Sequence, residues 1–260
     1  MQPWYFNPVF AEIGPFKLRW YGLMYALAFG ICYLYLQYSK QGKALKLSKE
    51  QKDTFAAVVI GGVLLGGRLG YILFYNLPYY LQNPLKIVAV WEGGMSFHGG
   101  LLAVILGVFW FVRKYRVNFL KLTDIVVSIA PIGLFLGRIG NFINGELYGR
   151  IANRFCLYFP TDPVNCRYPS QLLEAATEGL VLFILLFIIR RYTQKTGVAS
   201  AFFLIFYGIF RIFVEFFREP DLQIGYIFGW LTEGQILSLL MILFGAGLFR
   251  ILLKKLSSKH

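Results

Sequence analysis

Apolar runs of roughly 17–22 residues recur along this chain, separated by short polar connections. About 20 helical residues cross the hydrocarbon core of a bilayer. The pattern predicts seven spans, at about 20–38, 54–76, 97–113, 123–140, 171–190, 199–217 and 233–253. The predicted fold class is therefore an all-α polytopic membrane protein. It is expected to be a bundle of about seven transmembrane helices with a small outward-facing irregular region at 141–170, residues 1–260 forming a single transmembrane domain. The fourth span contains Pro131 and runs into Arg138 and Asn141, which opens it to a kink or a break there. Gly62, Gly66 and Gly70 form a small-residue stripe on the second span, which predicts close packing against another helix.

Composition supports the membrane reading. The chain is 57% apolar with a mean hydropathy of +0.58, whereas soluble domains are about 45–50% apolar. The net charge of +13 does not indicate nucleic acid, because the basic residues fall between the apolar runs and make no continuous basic face. They report orientation. Lys40, Lys43, Lys46, Lys49 and Lys52 lie in one connection. Arg113, Lys114, Arg116 and Lys121 lie in another, and Arg190, Arg191 and Lys195 in a third. Arg250, Lys254, Lys255 and Lys259 occupy the tail, so sixteen cations share one side and seven lie on the other. The richer side is expected to be cytoplasmic, with the N-terminus outside and the C-terminus inside. The first twenty residues include Pro3, Pro8, Glu12, Gly14 and Pro15. They lack a basic stretch followed by an apolar core, so no cleavable signal peptide is expected.

The outward connections, 77–96 and 141–170, are the long irregular ones, and long ordered loops are usually functional. Cys156 and Cys166 both lie in the second of these. An oxidising compartment would permit a bridge, and spacing alone leaves a disulfide and two independent thiols equally open. Cys32 reads as a small packing residue in the first span.

Three arginines, Arg68, Arg138 and Arg211, fall inside apolar stretches. A guanidinium at that depth needs a partner, a water-filled cavity or an anionic ligand. Arg138 lies in Gly137-Arg138-Ile139-Gly140-Asn141-Phe142-Ile143-Asn144-Gly145-Glu146, with Asn141 on its helix face. Tyr207, Arg211 and Glu215 recur every fourth residue and line one stripe, where Glu215 is placed to hold Arg211. Two inward arginines would make a clamp for an anion. Arg68 is open to two readings, the polar interior or a carboxylate partner. His98, the single internal histidine, is flanked by glycine pairs in Gly93-Gly94-Met95-Ser96-Phe97-His98-Gly99-Gly100 after Trp91 and Glu92, and histidine exchanges a proton near neutral pH. Tyr21 sits where interfacial aromatics sit. The sequence contains no metal-ligand set and no nucleotide fingerprint. Intramembrane arginines also build transporters and channels for anionic solutes, which is the main alternative. No internal repeat of the kind many transporters carry is visible. A lipid-binding scaffold without chemistry is a third possibility.

Taken together, Trp20-Tyr21-Gly22, Gly66-Gly67-Arg68-Leu69-Gly70-Tyr71, Gly94 to Gly100, Gly137 to Arg150, Tyr207 to Glu215, and Glu215-Phe216-Phe217-Arg218-Glu219-Pro220-Asp221 resemble the prolipoprotein diacylglyceryl transferase family, in order and over nearly the whole chain. The resemblance implies a multi-pass enzyme of the bacterial inner membrane with its active site toward the periplasmic side. It would move the diacylglyceryl group of phosphatidylglycerol to the lipobox cysteine of a preprolipoprotein, without cofactor or metal. It marks Tyr21, His98, Arg138, Asn141, Glu146, Gly149, Tyr207, Arg211 and Glu215. In that scheme Arg138 and Arg211 hold the phosphate and His98 takes the thiol proton. Asn141 and Tyr207 orient the headgroup, and Glu146 and Glu215 fix the cations. One position departs from the family pattern. Tyr168-Pro169-Ser170-Gln171 stands where the family usually reads His-Pro-Ser-Gln, so a role for that family histidine has no support here. The 141–170 connection is also short for the family.

Overall fold

The structure is a computed structural model that describes residues 6–14, 16–90, 93–220, 226–227 and 229–257. Pro3, Pro15, Trp91, Glu92, Asp221 and Lys259, all used in the sequence reading, lie outside the described residues. Among the described residues, seven long helices follow the predicted spans: α1 (Trp20–Tyr38), α2 (Lys49–Tyr75), α3 (Phe97–Tyr115), α4 (Phe119–Asn144), α5 (Ser170–Tyr192), α6 (Val198–Glu215) and α7 (Glu233–Ser257). Six of them, α2 to α7, are long and apolar enough to cross a membrane. The 19-residue α1 is not among the six; its five tyrosines lower its mean hydropathy. Many large apolar side chains point outward, among them Leu243, at 67% exposed, and Phe244, at 71%. Helices that are apolar on nearly every face suit a lipid surround.

The described residues fall into two compact units, Tyr33–Leu122 and the segments on either side of it, which are taken separately. In the first unit, α2 opens with a reciprocal cap. The Ser48 hydroxyl accepts from the Gln51 amide at 3.2 Å and the Gln51 side chain accepts from the Ser48 amide at 2.9 Å, which satisfies two otherwise unpaired donors. Ser96 caps α3 by accepting from the Gly99 amide at 3.2 Å. The predicted glycine stripe is a packing seam. A side chain at Gly70 would come within 2.7 Å of the Gly99 Cα, one at Gly62 within 3.0 Å of Val104, and one at Gly66 would strike Ala103. Around it lies a core that includes Phe55, Ile72, Tyr80 and Phe111.

Arg68 follows neither of its two expected readings. Its guanidinium donates to backbone carbonyls of Lys86, Ile87, Gly93 and Gly94 and lies 5.0 Å from the centre of the Tyr80 ring. It therefore holds the connection after α2 by main-chain oxygens, which replace both a carboxylate and an open polar interior.

In the second unit, β1 (Val9–Ile13) pairs antiparallel with β2 (Phe16–Arg19), which leads directly into α1. The hairpin of β3 (Leu157–Phe159) and β4 (Asp162–Arg167) builds the irregular region. A two-residue pair, β5 (Tyr226–Ile227) and β6 (Leu231–Thr232), precedes α7. α4 is not broken: its 26 residues run through the buried Pro131 to Asn144, so Arg138 and Asn141 are held on regular helix. α5 contains a π-helical stretch, Ala175–Val181, a widening that often accompanies functional positions. α6 follows Gly197, whose φ of +90° suits glycine. The Asp124 carboxylate of α4 caps this helix, accepting from the Gly197 amide at 2.6 Å and the Ser200 amide at 2.8 Å.

Candidate active site

The second unit gathers its charges inside the helices. Arg138 of α4 and Arg211 of α6 converge on one carboxylate oxygen, Glu174 Oε2 of α5, at 2.8 and 3.0 Å. Glu178, one turn further along α5, lies 3.6 Å from Arg138 and 3.4 Å from Arg211. The expected pair also forms, with Arg211 Nη2 2.6 Å from Glu215 Oε1, and Arg218 reaches the same oxygen at 3.6 Å. The side chains of Glu174 and Glu178 are 0% exposed. Three guanidinium groups thus meet three carboxylates in a buried network, and each charge there needs the others to offset its lost hydration.

Backbone economy makes these contacts possible. Gly179 lies against the main chain of Phe135, where a side chain would approach within 2.9 Å of the Phe135 Cα. That close approach brings Glu178 beside the turn of α4 that carries Arg138. The C-terminus of α4 closes with the Glu146 amide donating to the Asn141 carbonyl at 3.1 Å and the Gly145 amide to Phe142 at 3.0 Å, with Gly145 at φ +66°. This is the glycine-terminated motif that folds a chain back over its own last turn. It returns the Glu146 carboxylate to Asn141, whose amide donates to it at 2.9 Å, and to Asn144 at 3.3 Å. Among the described contacts Glu146 meets amides, and the carboxylates that meet both Arg138 and Arg211 are Glu174 and Glu178. Tyr21 rests on Gly140 beside this group. It shares a hydroxyl contact of 3.1 Å with Tyr25. Tyr207 sits one turn before Arg211, its ring stacked on Phe203 at 5.7 Å.

The irregular region pins this end of the site. Gly149 donates to the Tyr168 carbonyl at 2.8 Å, Arg150 to the Phe217 carbonyl at 2.9 Å, and Ala152 to the Cys166 carbonyl at 2.8 Å. A side chain at Gly149 would strike the Phe217 carbonyl, which accounts for glycine there by packing alone. The Arg150 guanidinium donates to the carbonyls of Arg218 at 3.0 Å and Glu215 at 3.3 Å, tying down the end of α6. Cys156 and Cys166 are disulfide-bonded, with Cα atoms 5.3 Å apart, which resolves the question their spacing left open. Tyr168, in the place of the family histidine, packs its ring edge-on against Phe217 at 5.6 Å. The next residues hold the Glu146 loop: Gln171 donates to the Glu146 carbonyl at 2.6 Å and Ser170 to the Leu147 carbonyl at 3.2 Å. Burial on the Asp162 side chain acts to raise its pKa, but hydrogen bonds from Arg167 and Asn165 outweigh it and hold the carboxyl below its usual range.

Of the nine residues marked in the sequence, Tyr21, Arg138, Asn141, Glu146, Gly149, Tyr207, Arg211 and Glu215 all belong to this unit. His98 belongs to the other. It stands in the first turn of α3 with an exposed side chain, its ring edge-on to Phe97 at 5.6 Å. The sequence reading did not single out Glu174 and Glu178. The signal was present, since two carboxylates four residues apart inside a span at 171–190 meet the same desolvation argument that singled out the arginines.

A family model described as prolipoprotein diacylglyceryl transferase matches residues 8–251. A phosphatidylglycerol–prolipoprotein diacylglyceryl transferase of a Marinomonas species is 50% identical over 248 residues, 93% of this chain and 91% of that protein. Proteins of the same name from Rickettsia felis and Rickettsia canadensis are 48% identical over 244 residues and 47% identical over 246. They are covered to 94% and 95% of their lengths. With a match of this extent, the chain belongs to the prolipoprotein diacylglyceryl transferase family.

Proposed function

We propose that this chain transfers the diacylglyceryl group of phosphatidylglycerol to the lipobox cysteine thiol of a preprolipoprotein, the first step of lipoprotein maturation. The observation that carries the reading is the convergence of Arg138 and Arg211 on one oxygen, Glu174 Oε2, at 2.8 and 3.0 Å. Two forks held that close can also meet the oxygens of one phosphate. In the reaction the cysteine sulfur attacks the terminal glyceryl carbon of the lipid. A carbon–sulfur bond forms, the carbon–oxygen bond to phosphate breaks, and glycerol phosphate leaves with the electron pair. The sulfur must be a thiolate to attack, so its proton passes to a base, for which His98 is the candidate. Arg138 and Arg211 stabilise the charge that gathers on the departing phosphate. Asn141 and Tyr207 orient the headgroup by hydrogen bonds, with Tyr21 and Glu146 placing Asn141. The site faces the periplasm, with the N-terminus outside and the C-terminus in the cytoplasm, which follows from the sixteen cations on the opposite side.

The test is incubation of the purified enzyme with phosphatidylglycerol and a lipobox peptide, read by mass spectrometry. The peptide gains a diacylglyceryl mass and glycerol phosphate appears; solute flux without that gain is the result expected of a transporter. Arg138→Ala is expected to lose about 10²–10³-fold in turnover, as for removal of a charge-stabilising donor. Near-parental turnover by a folded variant removes its role. His98→Gln is expected to change the pH–rate profile, and an unchanged profile eliminates histidine as the base.

A further inference from the structure

Helices α6 and α7 pack closely along their length, and glycines mark the seam. Side chains at Gly208 and Gly245 would press on the Ser238 and Ala201 carbonyls, both at 2.8 Å. These are helix-packing contacts. Gly234, in the first turn of α7, is different: the three heavy atoms nearest to where its side chain would stand all belong to one carboxylate side chain, Glu215 Oε1, Cδ and Cγ. That carboxylate has little freedom to withdraw. Glu215 is 3% exposed, and its Oε1 is engaged by Arg211 at 2.6 Å and Arg218 at 3.6 Å.

The opposing surface is held as well. Thr232 and Gln235 form a reciprocal cap, the Gln235 amide donating to the Thr232 hydroxyl at 3.2 Å and the Thr232 amide to the Gln235 side chain at 3.1 Å. This is the capping arrangement that fixes a first turn. The Ser238 hydroxyl donates to the Gly234 carbonyl at 2.6 Å. A carboxylate against the first turn of a 25-residue helix is also favoured by the helix dipole.

We infer that Gly234 is a positioning residue for Arg211: its missing side chain lets the first turn of α7 close over the Glu215 carboxylate, which in turn fixes the guanidinium. Arg211 spends Nη2 on Glu215 and Nη1 on Glu174 and Glu178, so displacing Glu215 rotates the whole fork. The inference rests on the reading of Arg211 as a phosphate-holding group.

The experiment is a double-mutant cycle on the full-length enzyme in detergent, with phosphatidylglycerol and a lipobox peptide, and with kcat and KM measured separately. Alanine is a better helix former than glycine, so helix propensity alone predicts no loss. Gly234→Ala is nevertheless expected to lower kcat/KM by at least about tenfold, because small misplacements of binding groups are costly. Glu215→Asp withdraws the carboxylate by one methylene, and in that background the alanine is expected to bring little further loss. The inference is overturned if Gly234→Ala is as active as the parent, or if its penalty is the same in both backgrounds. If Gly234→Ala does not fold, folding of the double variant supports the coupling, and its failure to fold overturns it. Arg211→Ala in the same assay separates the two levels. Full activity there defeats the reading of the site, whereas inactivity without coupling at Gly234 defeats this inference alone.

Discussion

Glu174 is the residue on which the network turns. It supplies the oxygen that both Arg138 and Arg211 share, and it is fully buried. Removing one partner of a buried ion pair typically costs about 3–5 kcal/mol, because the remaining charges are left uncompensated. Glu174→Gln keeps the shape and deletes the charge, so a clear drop in melting temperature and in transfer is expected. The comparison is Glu12→Gln, whose carboxylate is 61% exposed and 3.8 Å from Lys17; an exposed pair contributes about 0–1 kcal/mol, so its melting is expected to stay near the parent's. Equal melting of the two variants removes the network's structural role. Arg138, Arg211 and Glu215 were legible in the sequence because a charge in an apolar run is conspicuous. Glu174 and Glu178 obey the same rule, since a carboxylate in an apolar span carries the desolvation cost that makes the arginines conspicuous. The partners of Arg68 were not legible at all, because main-chain carbonyls leave no mark in the pattern of side chains.

At the scale of elements, the seven apolar runs located the long helices to within a few residues. α2 began earlier than expected, at Lys49, because the Ser48–Gln51 cap starts the helix within the polar connection. Pro131 opened α4 to a kink or a break, and the helix runs unbroken from Phe119 to Asn144. A proline inside a helix gives up one backbone hydrogen bond and crowds the carbonyl four residues before it, yet the helix continues where its surroundings satisfy the freed groups; this one is fully buried within the run of α4. The β3–β4 hairpin was read only as an irregular loop, since its strands of three and six residues show no clear alternation. Its internal pair invites a pH test. Asp162 accepts from Arg167 at 2.7 Å and titrates below its usual range. A carboxyl whose folded value is depressed stabilises the fold above its unfolded value and loses that contribution as pH falls through the folded one. Asp162→Asn is therefore expected to flatten the acid side of the melting-temperature profile while changing little near neutrality. An unaltered acid limb excludes this pair as its source.

For the whole molecule, charge asymmetry makes a topological prediction. Single cysteines placed near Lys46 and Lys254, in a background without Cys32, are expected to resist a membrane-impermeant thiol reagent in intact cells and to react after the membrane is opened. Labelling in intact cells reverses the orientation proposed. The buried network carries a further consequence for biogenesis. Arg138, the Glu174–Glu178 pair and Arg211 reside on three successive helices, α4, α5 and α6. Alone in lipid, α4 and α6 would each expose a guanidinium and α5 two carboxylates, every ion worth roughly 2.5–3.5 kcal/mol of insertion penalty; together the charges neutralise one another. Partitioning from the translocon should therefore favour the three as a cohort, and a nascent chain truncated after α5 should be held back or degraded, because its acidic pair still awaits the guanidinium of a helix not yet made.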